Sequence, residues 1–393
     1  MAVDPICKRN VDEEKSKFKS QLVDEVYYFC SSDCKKKFET ITRTKVRIQD
    51  FLKNEKILKN PFGRVYVEII KPGVCTLCGS CVASCPINVL EIVEGEPKLV
   101  GKCIACGVCY NQCPKTITKE FDLIGPYNEA YSARTLLEDV HGQDGGAVTS
   151  TLVFALEEGL IDGAVVTMKS DKDPWKPVPK FVNTRKGIVK ASGTVFNHSI
   201  TMRELVKAIE DGNGSVGFVG TPCNIEAVYK MHTAPYGLLQ LFMRACVLKL
   251  GLMCMDSFEY DGLKGFLKEK GVGLKDVEKM GISRGTLKVT TSNDNIEIRI
   301  KELDQIRSSS CSFCTDLSSE KADISFGSVG SPEGHTTVLT RTTLGSTIFH
   351  EAVDNGYIDA KPLEKEDLEQ VLRLARMKKV HMYTLTRRSQ KQS

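Results

Sequence analysis

Cys75-Thr76-Leu77-Cys78-Gly79-Ser80-Cys81-Val82-Ala83-Ser84-Cys85-Pro86 is followed, after a gap, by Cys103-Ile104-Ala105-Cys106-Gly107-Val108-Cys109-Tyr110-Asn111-Gln112-Cys113-Pro114. The same pattern is written twice: three cysteines at two-residue intervals, a fourth after three residues, then proline. Closely spaced thiolates wrap one corner of a cubane, and the fourth reaches the neighbouring cluster. The spacing therefore predicts two 4Fe–4S clusters. Cys75, Cys78, Cys81 and Cys113 would hold one, and Cys85, Cys103, Cys106 and Cys109 the other. Zinc knuckles are the alternative, but a zinc ion needs only four ligands. It leaves the third close cysteine and the repeated Cys-Pro without a purpose. A chain with this stretch moves electrons.

The chain has 393 residues, enough for two or three domains. A net charge of +4 is too mild to argue for nucleic acid. Residues 238–255 form the most apolar run, yet Arg244 and Lys249 interrupt it, so no bilayer span is expected. The N-terminus lacks a charged-then-apolar leader pattern, and a cytoplasmic location is expected. Sixteen cysteines in such a chain point to metal and redox chemistry rather than disulfides.

Ahead of the cluster stretch stand Asp4-Pro5-Ile6-Cys7 and Tyr27-Tyr28-Phe29-Cys30-Ser31-Ser32-Asp33-Cys34. Residues 26–29 read as a strand and 33–38 as the start of a helix. The arrangement resembles the small YHS/TRASH-type metal-binding module. Cys7, Cys30 and Cys34 leave one tetrahedral position open, which Asp4 or Asp33 could fill, with zinc the default metal. Reduced, unmetallated thiols are the plainer alternative. A segment this short buries little core, so a metal would staple it. Residues 43–64 read as an amphipathic linker helix ended by Pro61 and Gly63, and 64–70 as a strand. Glu94-Gly95-Glu96 between apolar runs signals a hairpin.

Beyond residue 121 the pattern turns to alternating strands and helices. Residues 131–140 read as helical. His141-Gly142-Gln143-Asp144-Gly145-Gly146 then feeds a helix over 148–158, a place where free N–H groups and the helix dipole favour a phosphate. A plain tight turn is equally compatible. Residues 171–179, with Trp175, read as an exposed loop. Ser192-Gly193-Thr194 is a second small-residue loop. Residues 216–219 read as a buried strand ending at Gly220-Thr221-Pro222-Cys223. Cys254 ends another apolar run, and Cys311 and Cys314 follow later. Spacing alone leaves open whether these four cysteines converge or are inert core residues. Cys246 reads as a small apolar filler. The basic stretch 373–393 reads as a solvated tail, with docking on an acidic partner as the alternative.

Taken together, Gly142–Gly146, Gly220-Thr221-Pro222-Cys223, Gly251-Leu252-Met253-Cys254, the Arg307/Cys311/Cys314/Asp316 run and Ala322-Asp323-Ile324-Ser325 resemble the beta subunit of coenzyme F420-reducing hydrogenase. The formate dehydrogenase beta subunit and other F420-dehydrogenase input subunits share the pattern. The resemblance covers residues 64–357. It implies an α/β fold, α+β overall. A flavin-binding α/β core would carry an inserted bacterial-type ferredoxin domain with two 4Fe–4S clusters, beside the small N-terminal metal-binding module. The implied boundaries are 1–42 for that module, 43–64 for the linker and 65–118 for the ferredoxin domain. The FAD-binding part would be 119–205, the rest of the core 206–371, and the tail 372–393. Cys223, Cys254, Cys311 and Cys314 would then hold a third 4Fe–4S cluster. Gly142, Gln143, Asp144, Gly145, Gly146, Ser192, Gly193, Thr194, His335, Thr336 and Thr337 would lie near FAD. His335 stands where relatives usually carry an aromatic ring.

The implied activity passes electrons between a partner enzyme and coenzyme F420. Clusters carry single electrons and a deazaflavin only hydrides, so FAD must stand between them. No general base is required. No catalytic nickel, molybdopterin or carbon-monoxide site is present in the sequence, so another polypeptide of a larger oxidoreductase complex must supply or accept the electrons. The competing expectations are an FAD and iron–sulfur reductase of another acceptor, and an electron-transfer and metal-sensing adaptor with a degenerate flavin site.

Overall fold

A computed structural model describes residues 2–22, 25–40, 62–234, 243–292 and 294–390. The chain divides into two compact units, Met1–Thr116 and Ile117–Ser393. The expected linker helix falls almost wholly outside the described residues.

The first unit opens with two small antiparallel pairs. β1 (Ala2–Val3) pairs with β2 (Asn10–Val11), and β3 (Phe18–Leu22) with β4 (Glu25–Phe29). Residues 32–40 are helical, as their sequence suggests. Phe38 from that helix lies 5.0 Å from Phe29 and 4.8 Å from Tyr27, ring to ring. Among the described residues of this segment the buried apolar side chains are Val11, Phe29 and Phe38.

Residues 64–70 are not a strand. They belong to a helix that starts over Phe62–Val65 and widens to π hydrogen bonding over Tyr66–Ile70. Phe62, Val65, Ile69 and Ile70 are buried while Tyr66 and Val67 are exposed, a helical stripe that the period-two reading mistook for alternation. Arg64 and Glu68 pair one turn apart at 2.8 Å, and Tyr110 donates to Glu68 at 2.6 Å. The hairpin is as expected. β5 (Leu90–Val93) and β6 (Glu96–Leu99) are joined by Glu94 and Gly95, both at positive φ, the turn that matches strand twist.

In the second unit an eight-stranded sheet runs β17-β7-β16-β15-β11-β10-β8-β9. The strands are β7 (Glu129–Thr135), β8 (Gly163–Lys169), β9 (Pro177–Val182), β10 (Ser215–Gly220), β11 (Cys246–Leu252), β15 (Ile324–Gly327), β16 (Thr336–Thr340) and β17 (Ile358–Pro362). β8, β10, β11 and β15 form a parallel centre; the outer pairings are antiparallel. A separate three-stranded sheet holds β12 (Val277–Ser283), β13 (Thr286–Thr291) and β14 (Asn295–Arg299). Helices α1 (Ala147–Glu157), α2 (Thr201–Glu210), α3 (Pro222–Thr233) and α4 (Thr343–Asp354) accompany the large sheet. The fold is mixed α/β. Every strand of the large sheet follows residue 128, so the cluster-bearing segment precedes the core and is not inserted within it.

Three further expectations are corrected here. Residues 131–140 are not helical: 129–135 form strand β7, because β16 and β17 flank it and satisfy its backbone on both sides, and no helix follows over 136–140. The 171–179 segment is not simply exposed. Trp175 is buried, donates its indole N–H to the Val277 carbonyl at 3.1 Å and lies under Lys169, 3.3 Å from the ring centre. The basic C-terminal stretch is part of helix α5 (Lys365–Gln390), whose Val371, Leu372, Ala375 and Lys378 are buried.

Candidate redox and metal centres

In the first unit two pockets form, each walled by four cysteines. One is lined by Cys75, Cys78, Cys81 and Cys113 with Val65, Ile69 and Ile70 behind them. The other is lined by Cys85, Cys103, Cys106 and Cys109 with Phe62, Leu90 and Leu99. Each set takes its fourth cysteine from the other repeat. The backbone repeats as well. Leu77 and Ala105 lie at positive φ, and their N–H groups donate to Cys75 Sγ at 3.5 Å and Cys103 Sγ at 3.3 Å. Gly79 and Gly107 take left-handed conformations (φ 75° each) and start the short helices Ser80–Ala83 and Val108–Gln112. Burial raises the Cys81 thiol, with the charges of Cys75 and Cys113 adding to it. Burial and the neighbouring Cys106 and Cys103 push Cys109 up to about 11. Thiols held this way against apolar walls suit a cluster that takes their protons.

At the N-terminus Asp4, Cys7, Cys30 and Cys34 bring one ligand atom each within 4.8 Å of the others. Cys7 and Cys30 sulfurs lie 3.4 Å apart, and Cys30 and Cys34 3.9 Å. The carboxylate in this group is Asp4, not Asp33. Asp4 is buried, and its oxygens accept from the N–H of Ile6 at 2.9 Å, Cys7 at 3.3 Å and Cys30 at 2.9 Å. Burial works against its charge, but these donors win and hold the carboxyl well below the usual range. Cys7 and Asp4 push the Cys30 thiol up to about 12, so three close thiols fit a cation that removes their protons.

The second unit gathers Cys223, Cys254, Cys311 and Cys314 from three separate segments. Cys223 sits in the first turn of α3, where Asn224 Oδ1 accepts from the Thr221 N–H and hydroxyl and fixes the turn. Cys254 follows β11, and its N–H donates to the Leu317 carbonyl at 2.9 Å. Cys311 lies within a short 3-10 turn, Ser309–Phe313, and Cys314 caps its end. Burial pushes Cys254 up to about 12; Lys378 opposes, while Cys311, Cys223 and Cys314 add to the rise. His198, absent from the sequence reading, stands 4.0 Å from Cys311 Sγ. Hydrogen bonding to Cys223 and Cys311 raises its imidazole to about 10. Cys246 is not the buried filler expected: it is exposed at the start of β11, away from this group.

The glycine-rich loop lies where β7 and β16 meet. A side chain at Gly145 would come within 2.5 Å of the Ala133 carbonyl and 2.7 Å of the Thr336 nitrogen. The loop therefore lies on the backbone of the later threonine segment, and the Thr135 N–H donates to the Gly145 carbonyl at 2.6 Å. Gly146 (φ 72°) starts α1. Ser192 reaches the same loop through its hydroxyl, which donates to the His141 carbonyl at 3.2 Å. Three separated stretches thus come together. Thr337 does not face them: it is fully buried, and its hydroxyl is engaged by the Val329 carbonyl and Ser331. One further wall comes from residues outside the sequence-predicted set. Gln143 packs against Gly281 of β12, and Lys279 of that strand acts on Asp144.

Residues 130–207 and 213–366 match the N-terminal and C-terminal families of the coenzyme F420 hydrogenase/dehydrogenase beta subunit, and 68–114 a 4Fe–4S dicluster domain. The coenzyme F420 hydrogenase subunit beta of Methanothermobacter thermautotrophicus is 38% identical over 62% of this chain and 87% of its own length. The chain belongs to the coenzyme F420 hydrogenase/dehydrogenase beta-subunit family. A coenzyme F420-dependent sulfite reductase of Methanocaldococcus jannaschii is 35% identical over 79% of this chain, which spans 51% of that protein. A subunit in a solved structure of the F420-reducing NiFe hydrogenase complex of Methanosarcina barkeri superposes with a TM-score of 0.66 at 33% identity, over 70% of this chain and 97% of that one. Like other members of the family, the chain is an iron–sulfur oxidoreductase subunit of electron transfer. Residues 1–67 and 367–393 lie outside these three family matches. Among the described residues no helix is long and apolar enough to cross a membrane.

Proposed function

We propose that this chain is the coenzyme F420-reacting subunit of a larger oxidoreductase complex, and that it exchanges electrons with a catalytic partner polypeptide. The observation that carries this is the convergence of Cys223, Cys254, Cys311 and Cys314 in the unit that also brings together the 142–146, 192 and 335–336 stretches. Cys75, Cys78, Cys81 and Cys113 would hold one 4Fe–4S cluster. Cys85, Cys103, Cys106 and Cys109 would hold a second, and Cys223, Cys254, Cys311 and Cys314 a third. FAD would rest on Gly142–Gly146 with Ser192, Gly193, Thr194, His335 and Thr336 about it; Thr337 would support from behind. The start of α1 would supply N–H groups and a dipole to its phosphates. When bound, the clusters carry single electrons, FAD converts between one- and two-electron steps, and the coenzyme takes a hydride. The protein's part is to hold, orient and space these groups. Cys7, Cys30 and Cys34 would bind zinc beside Asp4.

A second reading follows from the sulfite reductase relative, in which a chain of this kind accounts for about half of the protein. There the same electron path would serve a different terminal acceptor on the partner.

The test is anaerobic. The purified chain should contain FAD and about twelve irons (three four-iron clusters). After reduction with dithionite and removal of excess reductant, it should bleach the visible band of oxidised coenzyme F420. Full iron and FAD with no bleaching, but oxidation by another acceptor, would move the assignment to another substrate. A chain without flavin would overturn the proposal.

A further inference from the structure

Helix α5 carries a lysine into the four-cysteine site of the second unit, from beyond residue 366, where the C-terminal family match ends. Lys378 is buried, at 5% exposure, and its ammonium donates to the carbonyl of Cys254. Its charge acts on the Cys254 thiol and on Asp256. The position is held from both sides. Val371, Leu372 and Ala375 pack one turn or two earlier among Leu123, Ile124, Leu317 and Leu339. Arg376 donates to the Ile117 carbonyl at 3.4 Å, and Lys379 pairs with Glu320 at 2.6 Å. The carboxylate that feels Lys378 is divided: Asp256 also faces Arg307 at 3.7 Å and feels His381. A buried ammonium is costly unless something negative compensates it. A carbonyl oxygen alone does so poorly. Four thiolates around one metal cluster compensate it well, and the cluster becomes more negative when reduced.

We propose that Lys378 is the positioning residue that sets the reduction potential of the group held by Cys223, Cys254, Cys311 and Cys314. The inference rests on the cluster assignment proposed above. A fixed positive charge in a poorly solvated site favours the state with one more electron, so it raises the potential. No bond is made or broken; only the balance between the oxidised and reduced forms shifts. The C-terminal helix, by carrying this lysine, becomes part of the electron path.

The test is a redox titration of the full-length protein, followed by electron paramagnetic resonance with iron content measured in parallel. Three variants are compared with the wild type: Lys378→Met, Lys378→Gln and Lys378→Arg. Gln keeps a donor for the Cys254 carbonyl without the charge, and Arg keeps the charge. The expected result is unchanged iron in all three. The Met and Gln variants should favour oxidation of the second-unit cluster by tenfold or more, a fall of about 59 mV for one electron. The Arg variant should stay close to wild type, and signals from the two first-unit clusters should not move. Full iron with an unmoved potential in the Gln variant would overturn the proposal. So would an Arg variant shifted as far as Gln. Should the Met variant fail to fold, the Gln and Arg pair still decides. A wild-type protein with about eight irons and no third signal would instead overturn the cluster assignment itself, and that failure is recognisable because it precedes any substitution.

Discussion

Gly145 joins the loop ahead of α1 to the strand end at Thr336, and there is no room for anything larger. Both atoms that a side chain would strike, the Ala133 carbonyl and the Thr336 nitrogen, are backbone and cannot swing away. Gly145→Ala should destabilise the second unit by about 1–3 kcal/mol, as overpacking does. It should also release flavin, while the irons of the first unit stay. A melting curve with flavin absorbance and iron counts checks this. Asp4 is a different kind of control point. Its oxygens hold the N–H groups of Cys7 and Cys30, two of the thiol residues it stands beside. Asp4→Asn would turn an amide donor toward a backbone donor. Metal affinity should fall about 10–100-fold, the usual loss for a partner behind the ligands, read by competition with a chromophoric zinc chelator. The pH sign follows from the depressed carboxyl. Its folded value lies below the unfolded one near about 3.9. The stabilisation is therefore present above that pH and is lost as pH falls toward the folded value. The thiols of residues 75–113 are legible because their spacing is local, whereas those of the second unit are legible only through the family resemblance. His198 and Lys378 are not, since neither lies near its target cysteine in sequence and only tertiary packing delivers them.

The C-terminal helix shows why charge runs mislead. Its basic residues suggest a solvated segment, yet Val371, Leu372 and Ala375 occupy one buried stripe, and Lys378 continues it. Placing a charge in that stripe should detach the helix. Val371→Asp should cost about 3–5 kcal/mol, the penalty of an unpaired buried charge. It should lower the soluble yield and the iron of the second unit, both measured on the purified protein. β7 misled in the opposite way. Ala133, Leu136, Leu137 and Glu138 favour a helix over 131–140 in isolation, but Thr336 to Thr340 on one side and Ile358 to Pro362 on the other pair with β7 residue by residue. Local propensity gives way when two strands offer hydrogen bonds that a helix there would leave unmade. The parallel centre was easier to read. β8 and β10 are apolar runs bounded by turns, as strands buried on both faces should be.

Across the molecule, the family matches begin at residue 68, while the Asp4, Cys7, Cys30 and Cys34 group is built from residues 4–34 by its own hydrogen bonds and aromatic packing. No ligand in that group is shared with the cluster cysteines. The metal group and the electron path are therefore expected to be separable, which distinguishes a redox subunit carrying an accessory module from an adaptor whose working part is that module. In the Cys30→Ser/Cys34→Ser double variant, bound zinc should fall below about a tenth of its wild-type level, since two of three thiolates are gone. Flavin, iron and the rate of coenzyme F420 bleaching should stay within about twofold, because removing a ligand set that shares no residue with the redox centres leaves the transition state for the redox step untouched. Iron quantification, zinc quantification and the bleaching assay on one preparation read all of these together. Loss of bleaching with flavin and iron intact would show that the N-terminal metal governs the redox reaction. The module would then belong to the mechanism rather than standing beside it.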